Sequence, residues 1–388
     1  MSVYLDSLAS TDVPVVVIGA GQSGLAAARA LDKLNVPAVV LEAGERPAGS
    51  WPRYYDSLRL FSPAAFSSMP GMPFPGDPDS YPSRDEVADY LERYAASIPV
   101  EIQTNTRVTT VRQEAGAFLV YTADGRQLRV AGLVVASGSF SNPYQPIFPG
   151  QKGFTGQLLH VAEYRNPISY MGMRVIVVGA GDSAAQVANE LAPVADVTLA
   201  ARHPLRFIPQ RVGGKDVHYW LRETGFDSLP AQWLSKFSGG SLITDSVGFQ
   251  QTLADGLLDV RPMFIGLDGD KVVWSENERE PVDAILLATG YRPSLDYLRE
   301  LGALDAAGAP LHVGGVSTTH LGLVYVGLEY QRSFASNTLR GVSADAAAVA
   351  TPLVAWIRDA PAAVGISSFE TAPFAVVDSI DRSFMYGS

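Results

Sequence analysis

Two glycine-rich segments of the same plan, at residues 19–24 (GAGQSG) and 179–184 (GAGDSA), limit the folds that this chain can adopt. Each segment follows a short apolar run typical of a strand buried on both faces, and each precedes a helical pattern and a second apolar run. Strand, tight turn, helix and strand form the unit of nucleotide-binding α/β folds. A further apolar run follows each unit, at residues 133–138 and 285–290. The sequence therefore predicts an α/β protein with two Rossmann-like, dinucleotide-binding domains.

The first glycine loop is typical of a nucleotide site that takes an unmodified ribose. Its glycines let the chain turn tightly and let the backbone approach a pyrophosphate, whose charge rests on the helix N-terminus. Glu42 ends the next predicted strand, where a carboxylate can accept hydrogen bonds from a ribose. This combination predicts FAD. The predicted contacts are Gly19, Gly21, Gln22, Ser23, Gly24 and Glu42.

The second glycine loop differs from the first at the position that corresponds to Glu42. Arg202 stands there, and a guanidinium suits the 2′-phosphate of NADPH but cannot accept a hydrogen bond from a 2′-hydroxyl. His203 follows and offers a second donor. The sequence predicts NADPH, with NADH as an alternative; the other interpretation of Arg202 is a solvated charge at a strand end. The predicted contacts are Gly179, Gly181, Asp182, Ser183, Arg202 and His203.

Further parts of the chain complete the predicted FAD site. A last helix is expected to open near Ser336 and Thr338, where its N-terminus would place positive potential beside the flavin ring. Val108 begins a predicted antiparallel segment and Gly138 ends the strand after the first unit, and both are added to the predicted contacts. The predicted domains are an FAD-binding first part at 1–160, an inserted NADPH-binding domain at 165–290 and the completion of the FAD domain at 291–388.

The composition excludes several other chemistries. The sequence has no cysteine, which removes disulfides, thiolate metal sites and a dithiol redox relay. Its five histidines show no metal-ligand spacing, and no Gly-x-Ser-x-Gly motif offers a hydrolase nucleophile. A formal net charge of −11 without a basic cluster disfavours nucleic acid. The chain begins without a signal-peptide pattern and has no apolar run long enough to span a bilayer, so a cytoplasmic protein is predicted.

The segment between the two units reads F-x-G-x-x-x-H-x-x-x-Y-R over residues 154–165. This resembles the fingerprint of class B flavoprotein monooxygenases, in the form found in flavin-containing monooxygenases. The Baeyer–Villiger branch usually has Trp where Tyr164 stands. The resemblance covers nearly the whole chain and is nearest to the short bacterial flavin-containing monooxygenases. Disulfide reductases also have two nucleotide folds of this plan, but they need the cysteine pair that this chain lacks.

The resemblance implies an FAD- and NADPH-dependent monooxygenase. NADPH would reduce FAD, O₂ would give a C4a-hydroperoxyflavin, and small sulfides or amines would take up an oxygen atom, with Baeyer–Villiger oxidation of ketones as a side activity. The aromatic loop at residues 51–61, which lacks the active-site Asn of several trimethylamine-type members, would exclude water from the flavin. Phe61 and Tyr55 are assigned to the catalytic site and Trp51 to packing over the cofactor; the alternative is that these aromatics are core. His160 is interpreted as structural, and a homodimer is implied.

Two alternatives stay open. The same cofactors would serve an NAD(P)H oxidase or a flavin-dependent reductase for a partner, which would release peroxide without an oxygenated product. A nucleotide-binding redox sensor would be reduced once and would then reoxidise slowly. A monooxygenase differs from both, because its product gains an oxygen atom.

Overall fold

The computed structural model describes residues 14–234 and 243–359, and this part of the chain contains two large sheets built mainly of parallel strands. The α-helices are α1 (Gln22–Lys33), α2 (Arg84–Ala96), α3 (Asp182–Leu191), α4 (Val217–Glu223), α5 (Ala231–Leu234), α6 (Phe249–Ala254) and α7 (Val342–Asp359). The strands are β1 (Val15–Ile18), β2 (Ala38–Leu41), β3 (Glu101–Gln103), β4 (Val108–Glu114), β5 (Ala117–Thr122), β6 (Gln127–Val130), β7 (Gly132–Val135), β8 (Gln157–His160), β9 (Arg174–Val178), β10 (Asp196–Ala201), β11 (Phe207–Ile208), β12 (Arg211–Val212), β13 (Lys215–Asp216), β14 (Ile243–Thr244), β15 (Asp259–Pro262), β16 (Gly266–Asp268), β17 (Lys271–Ser275), β18 (Glu278–Pro281), β19 (Ala284–Leu287), β20 (His312–Val313), β21 (Val316–Ser317) and β22 (Leu323–Tyr325).

The first sheet has the strand order β20-β21-β22-β7-β1-β2-β3. The strands from β22 to β3 run parallel, whereas β20 and β21 are antiparallel. Helices α1, α2 and α7 cover one face, and the antiparallel sheet β4-β5-β6 covers the other. All four residues of β1 are therefore buried, which explains its uninterrupted apolar run.

The second sheet has the order β15-β10-β9-β19-β8, with every pair parallel. Its core lies between α3 and α6 on one face and the antiparallel sheet β16-β17-β18 on the other. In chain order all its strands come between β7 and β22, which are neighbours in the first sheet. The predicted α/β class with two Rossmann-like sheets is confirmed.

Several elements begin or end where local sequence signals do. Strands β2, β9 and β10 end where their apolar runs end, and α3 runs to Leu191. A capping box opens α2: Ser83 and Glu86 bond to each other's backbone N–H groups. Asp124 and Gly125 form the turn between β5 and β6.

One predicted boundary is wrong. The last helix begins at Val342, not near Ser336, because the preceding residues form turns in which Ser336 Oγ accepts hydrogen bonds from the backbone N–H groups of Arg332 and Ser333. Turns of this kind leave no periodic pattern in the sequence. Strand β8, which lies within the predicted first part at 1–160, pairs with β19 in the second sheet.

Candidate functional site

The first glycine loop connects β1 to α1 and approaches other backbone closely. Gly19 has φ +102°, and a Cβ there would lie 2.6 Å from the carbonyl oxygen of Ala136. A Cβ on Gly24 would lie 1.7 Å from the Gly19 carbonyl oxygen. Gly21 is the N-cap of α1, and no side chain bonds to the helix's first N–H groups. This uncapped helix N-terminus fits a pyrophosphate, because its N–H groups and dipole favour an anion.

The carboxylate of Glu42 is buried beside this loop. One oxygen accepts from Ala20 N at 2.7 Å, and the other accepts from Gly44 N at 2.7 Å. The backbone thus holds the carboxylate in one orientation. Each oxygen retains acceptor capacity, so the arrangement fits a ribose as well.

Three distant segments meet at the start of α1. Trp51 Nε1 donates to Gln22 Oε1 at 2.8 Å, and Gln22 Nε2 donates to the Asn337 carbonyl oxygen at 3.3 Å. A Cβ on Gly327 would lie 2.0 Å from Ser23 Oγ. The aromatic loop and the segment before α7 therefore both border the first glycine loop.

The second glycine loop repeats this geometry between β9 and α3. A Cβ on Gly179 would lie 2.5 Å from the Ala288 carbonyl oxygen, and Gly181 caps α3 without a side-chain hydrogen bond. Asp182 turns its carboxylate to Thr244, accepting from its N at 2.9 Å and its Oγ1 at 3.0 Å. Burial raises the pKa of Asp182, against the effect of these hydrogen bonds. Ser183 follows at the helix start, so this N-terminus also fits a pyrophosphate.

Arg202 and His203 directly follow β10, at the edge where the second glycine loop lies. Both side chains are exposed. Within residues 14–234 and 243–359 the Arg202 guanidinium forms no ion pair. A free guanidinium at this edge fits a phosphate on the ribose.

The sequence motif at 154–165 fastens the aromatic loop to the second domain. Arg165 donates to the carbonyl oxygens of Arg53 and Tyr54, and its own carbonyl oxygen accepts from Asp56 N at 2.8 Å. Tyr164 OH donates to Glu190 of α3 at 2.8 Å. These residues hold the loop in place.

His160 in the same motif is fully buried and satisfied. Its Nδ1 accepts from Ala162 N at 3.1 Å, so Nε2 carries the proton and donates to the Gly290 carbonyl oxygen at 3.0 Å. Burial lowers the pKa of His160, which favours the neutral ring. The geometry agrees with a structural role at the junction of the two domains.

An aromatic row joins the two domains. The ring of Tyr54 lies 5.5 Å from Trp51 and 4.4 Å from Phe140, whose ring stacks on Tyr291 at 5.4 Å. Tyr291 meets His160 edge-on at 4.8 Å. Burial raises the pKa of Tyr54 and of Tyr291, so both hydroxyls stay neutral. The aromatic row therefore forms an uncharged wall between the first glycine loop and β8.

Phe61 and Tyr55, the predicted catalytic residues, lie in different environments. Phe61 is half-buried and its ring stacks on His218 at 5.8 Å. Tyr55 is buried in the core of the second domain, where its OH donates to Gln186 of α3 at 2.9 Å. The structure does not bring the two side chains together, and their catalytic role stays a prediction.

The four remaining predicted FAD contacts lie in different surroundings. Val108 is buried in the core between the first sheet and β4-β5-β6. Gly138 has φ +65° and open space where a Cβ would lie. Ser336 is fully buried, and Thr338 bonds to the local backbone at Ala335 and Gly341. Their contacts with FAD also stay predictions.

Sequence reasoning missed a buried polar cluster of Tyr81, Gln210, Asp216 and His218. The available signal was Asp216 immediately before a helical pattern, which is typical of an N-cap. The partners Tyr81 and Gln210 lie in irregular segments and carry no such signal.

Two structural findings concern metal binding and membrane-spanning helices. Among the described residues, no group of three or more His, Asp or Glu side chains is placed to hold a metal ion. None of the helices in that part of the chain is long and apolar enough to cross a membrane.

Comparison with known proteins gives one family match and several relatives. The profile of the family described as pyridine nucleotide-disulphide oxidoreductase matches residues 16–229. A CzcO-like oxidoreductase of Geobacillus kaustophilus is 34% identical, over 86% of this chain and 96% of its own length. The probable indole-3-pyruvate monooxygenase YUCCA8 of Arabidopsis thaliana is 31% identical, over 73% of this chain and 75% of its own.

A solved structure resembles this one over nearly its whole length. The flavin-containing monooxygenase from Stenotrophomonas maltophilia superposes with a TM-score of 0.79 at 29% identity, covering 89% of this chain and 98% of that one.

Proposed function

Because the chain belongs to the pyridine nucleotide-disulphide oxidoreductase family, and within it is a flavin-dependent monooxygenase that uses FAD and NADPH, we propose that it oxygenates small sulfides and amines. Baeyer–Villiger oxidation of ketones is proposed as a side activity. The proposal rests on one observation above all: two uncapped, glycine-lined helix N-termini lie in one chain and are joined by an uncharged aromatic wall.

In this proposal the first sheet holds FAD. The N-terminus of α1 binds the pyrophosphate, and Glu42, oriented by Ala20 and Gly44, accepts from the ribose. The domain that contains α7 completes this site near Ser336 and Thr338. The predicted division into an FAD-binding part at 1–160, an NADPH-binding domain at 165–290 and the completion of the FAD domain at 291–388 is retained as a proposal.

The second sheet holds NADPH. The N-terminus of α3 at Gly181 receives the pyrophosphate, and Arg202 with His203 receives the 2′-phosphate. The free guanidinium supports NADPH over NADH, because a neutral 2′-hydroxyl gains little from it.

FAD, when bound, accepts a hydride from NADPH and activates O₂ for transfer of one oxygen atom. The residues of this chain bind, orient and exclude water. The rings of the aromatic row and Phe61 would keep water from the reacting atoms, and burial keeps the Tyr54 and Tyr291 hydroxyls neutral. An apolar wall of this kind suits soft, uncharged nucleophiles such as sulfides and unprotonated amines.

The test is oxygen transfer by the purified holoenzyme. The protein, loaded with FAD, is mixed with NADPH, ¹⁸O₂ and one substrate at a time: methyl phenyl sulfide, a tertiary amine, a cyclic ketone and indole-3-pyruvate. We expect labelled sulfoxide and amine oxide, formed in proportion to the NADPH consumed. Stoichiometric peroxide with no labelled product would overturn the proposal in favour of an oxidase or reductase, and a single slow reoxidation would favour a redox sensor.

We propose further that the enzyme works on small molecules and O₂ as a cytoplasmic homodimer, as the family resemblance implies. Size-exclusion chromatography with light scattering tests the dimer, and a monomeric mass at micromolar concentration would contradict it.

A further inference from the structure

The polar cluster of Tyr81, Gln210, Asp216 and His218 lies between the aromatic loop of the first domain and the segment that follows β10. Asp216 Oδ1 accepts from His218 Nδ1 at 2.7 Å and from His218 N at 2.9 Å. Its Oδ2 accepts from Tyr81 OH at 2.6 Å and from Gln210 Nε2 at 2.8 Å. A single carboxylate thus organises donors from both domains.

This cluster holds an ionised group away from water. Asp216 is 5% exposed and His218 is 2% exposed. Burial alone would raise the pKa of Asp216, but the hydrogen bonds from His218, Tyr81 and Gln210 together lower it to about 2. Because a carboxylate only accepts, Nδ1 of His218 must carry the proton, and the imidazole is held in one orientation.

The orientation of the imidazole determines its contact with Phe61. The two rings stack at 5.8 Å with 21° between their planes, and the ring of Phe66 lies 6.1 Å from the imidazole on another side. Gln210 Nε2 also donates to the Phe61 carbonyl oxygen at 3.1 Å. The cluster therefore holds Phe61 by both its ring and its backbone.

The same segment reaches the second glycine loop. Thr244, in β14, donates twice to Asp182, the first residue of α3. Strand β14 pairs with β11, which leads to Gln210, so the described residues 207–218 and 243–244 connect the proposed NADPH loop to the aromatic loop.

We propose that His218, oriented by Asp216, is a positioning residue for the oxygenation reaction, which keeps Phe61 in place and links it to the NADPH loop. This inference rests on the proposed function. When Phe61 is displaced, water reaches the reacting atoms. NADPH, H⁺ and O₂ then give NADP⁺ and H₂O₂. With Phe61 in place, the same reactants and the substrate give NADP⁺, water and an oxygenated product. His218 therefore controls how much of the NADPH consumed appears as product.

The experiment compares His218→Asn with His320→Asn. Asn retains a donor near Nδ1 and can keep the bond to Asp216, but it removes the ring from Phe61. His320 undergoes the same chemical change on a loop far from both glycine loops, where its ring contacts Thr319. We expect His218→Asn to raise the peroxide-to-product ratio about threefold or more, because small displacements of groups around a reaction centre have large effects on rate. His320→Asn should match the wild type.

A second readout does not depend on turnover. Hydrogen–deuterium exchange on the FAD-loaded protein, without NADPH, should show faster exchange at residues 60–67 in His218→Asn and no change in His320→Asn. Tyr81→Phe removes one hydroxyl donor from Asp216 and keeps the ring. It should raise the peroxide-to-product ratio and the exchange rate as His218→Asn does, but by smaller amounts. It serves as the test if His218→Asn does not fold.

The positioning role would be overturned if His218→Asn had the same exchange rates and the same peroxide-to-product ratio as the wild type. If His218→Asn does not fold, the same result in Tyr81→Phe would overturn it. A wild-type enzyme that oxygenates nothing would instead overturn the proposed function, and the exchange comparison would then decide the positioning of Phe61 by itself: equal exchange rejects it and faster exchange supports it. The two failures are therefore distinguishable.

Discussion

The guanidinium of Arg340 donates two hydrogen bonds to the carboxylate of Asp227, at 2.9 and 2.8 Å, and so joins the segment before α7 to the segment between α4 and α5. Both side chains are largely buried, at 10% and 13% exposure. Backbone contacts surround the pair, since Ala335 N donates to the Asp227 carbonyl oxygen at 3.2 Å. The pair therefore fastens an irregular part of the second domain onto the first.

We expect Asp227→Asn to destabilise the protein by about 3 kcal/mol, because the Arg340 charge would remain buried without its partner. Denaturant unfolding measures this change. The control is Asp268→Asn, which breaks an exposed ion pair with Arg279 and should cost less than about 1 kcal/mol. Equal effects of the two substitutions would contradict the prediction.

Gly19→Ala should abolish or strongly weaken flavin binding. The φ of +102° and the approach of the Ala136 carbonyl oxygen leave no room for a methyl group, so the loop must shift at a cost of about 1–3 kcal/mol or more. The flavin-to-protein absorbance ratio after purification reports the loss. Gly153→Ala is the matched control, because a Cβ there meets open space. Retention of normal flavin content in Gly19→Ala would count against this loop as the FAD site.

Glu42→Gln should weaken FAD binding about tenfold or more, since an amide replaces a charged acceptor that bonds to two backbone N–H groups. One end of the amide would present N–H to an N–H donor. Fluorescence titration of the apoprotein with FAD measures the dissociation constant. Glu45→Gln, at an exposed position in the same loop, should leave it unchanged. Comparable affinities for both variants would be inconsistent with the role assigned to Glu42.

Arg202→Gln should lower kcat/KM for NADPH about tenfold or more and leave kcat/KM for NADH nearly unchanged, because only NADPH carries the 2′-phosphate. Steady-state kinetics with each nucleotide test this. Arg129→Gln removes a cation from the remote sheet β4-β5-β6 and should change neither value. A parallel loss for both nucleotides in Arg202→Gln would show a structural role for this residue.

Stability should depend on Asp216 in acid. In the folded state the pKa of Asp216 is lowered to about 2. The ionised carboxylate therefore stabilises the fold above the ordinary pKa of an aspartate, and this stabilisation is lost as the pH falls through the folded-state pKa. The difference in unfolding free energy between the wild type and Asp216→Asn should shrink by about 1–2 kcal/mol between about pH 5 and about pH 2.5. A difference that stays constant over this range would mean that the carboxylate is not stabilised in the folded state.

The regular elements were predictable because their signals are local. The apolar runs of β2, β9 and β10 coincide with strands buried on both faces, and the Ser83–Glu86 capping box marks the start of α2. The glycine loops were predictable for a related reason: a tight turn at φ +102° with a carbonyl oxygen 2.6 Å from the Cβ position accepts only glycine.

The candidate site was predicted only in part. Glu42 and Arg202 stand at strand ends whose position follows from the loop spacing, whereas Tyr55 looked equivalent to Phe61 in the sequence and lies in another core. No local pattern distinguishes an aromatic ring that stacks on His218 from one that packs under α3.

The amino-acid sequence by itself determined the two sheets, the two glycine loops and the family, since strand burial, turn geometry and short motifs depend on neighbouring residues. Tertiary structure alone decided which irregular segments meet. Tyr81 bonds to Asp216 and Asp227 to Arg340 across more than a hundred positions. Such pairs form because a buried charge is stable only beside a polar or oppositely charged partner. Which residue becomes that partner depends on how the domains pack in space, and this cannot be derived from neighbouring positions in the sequence.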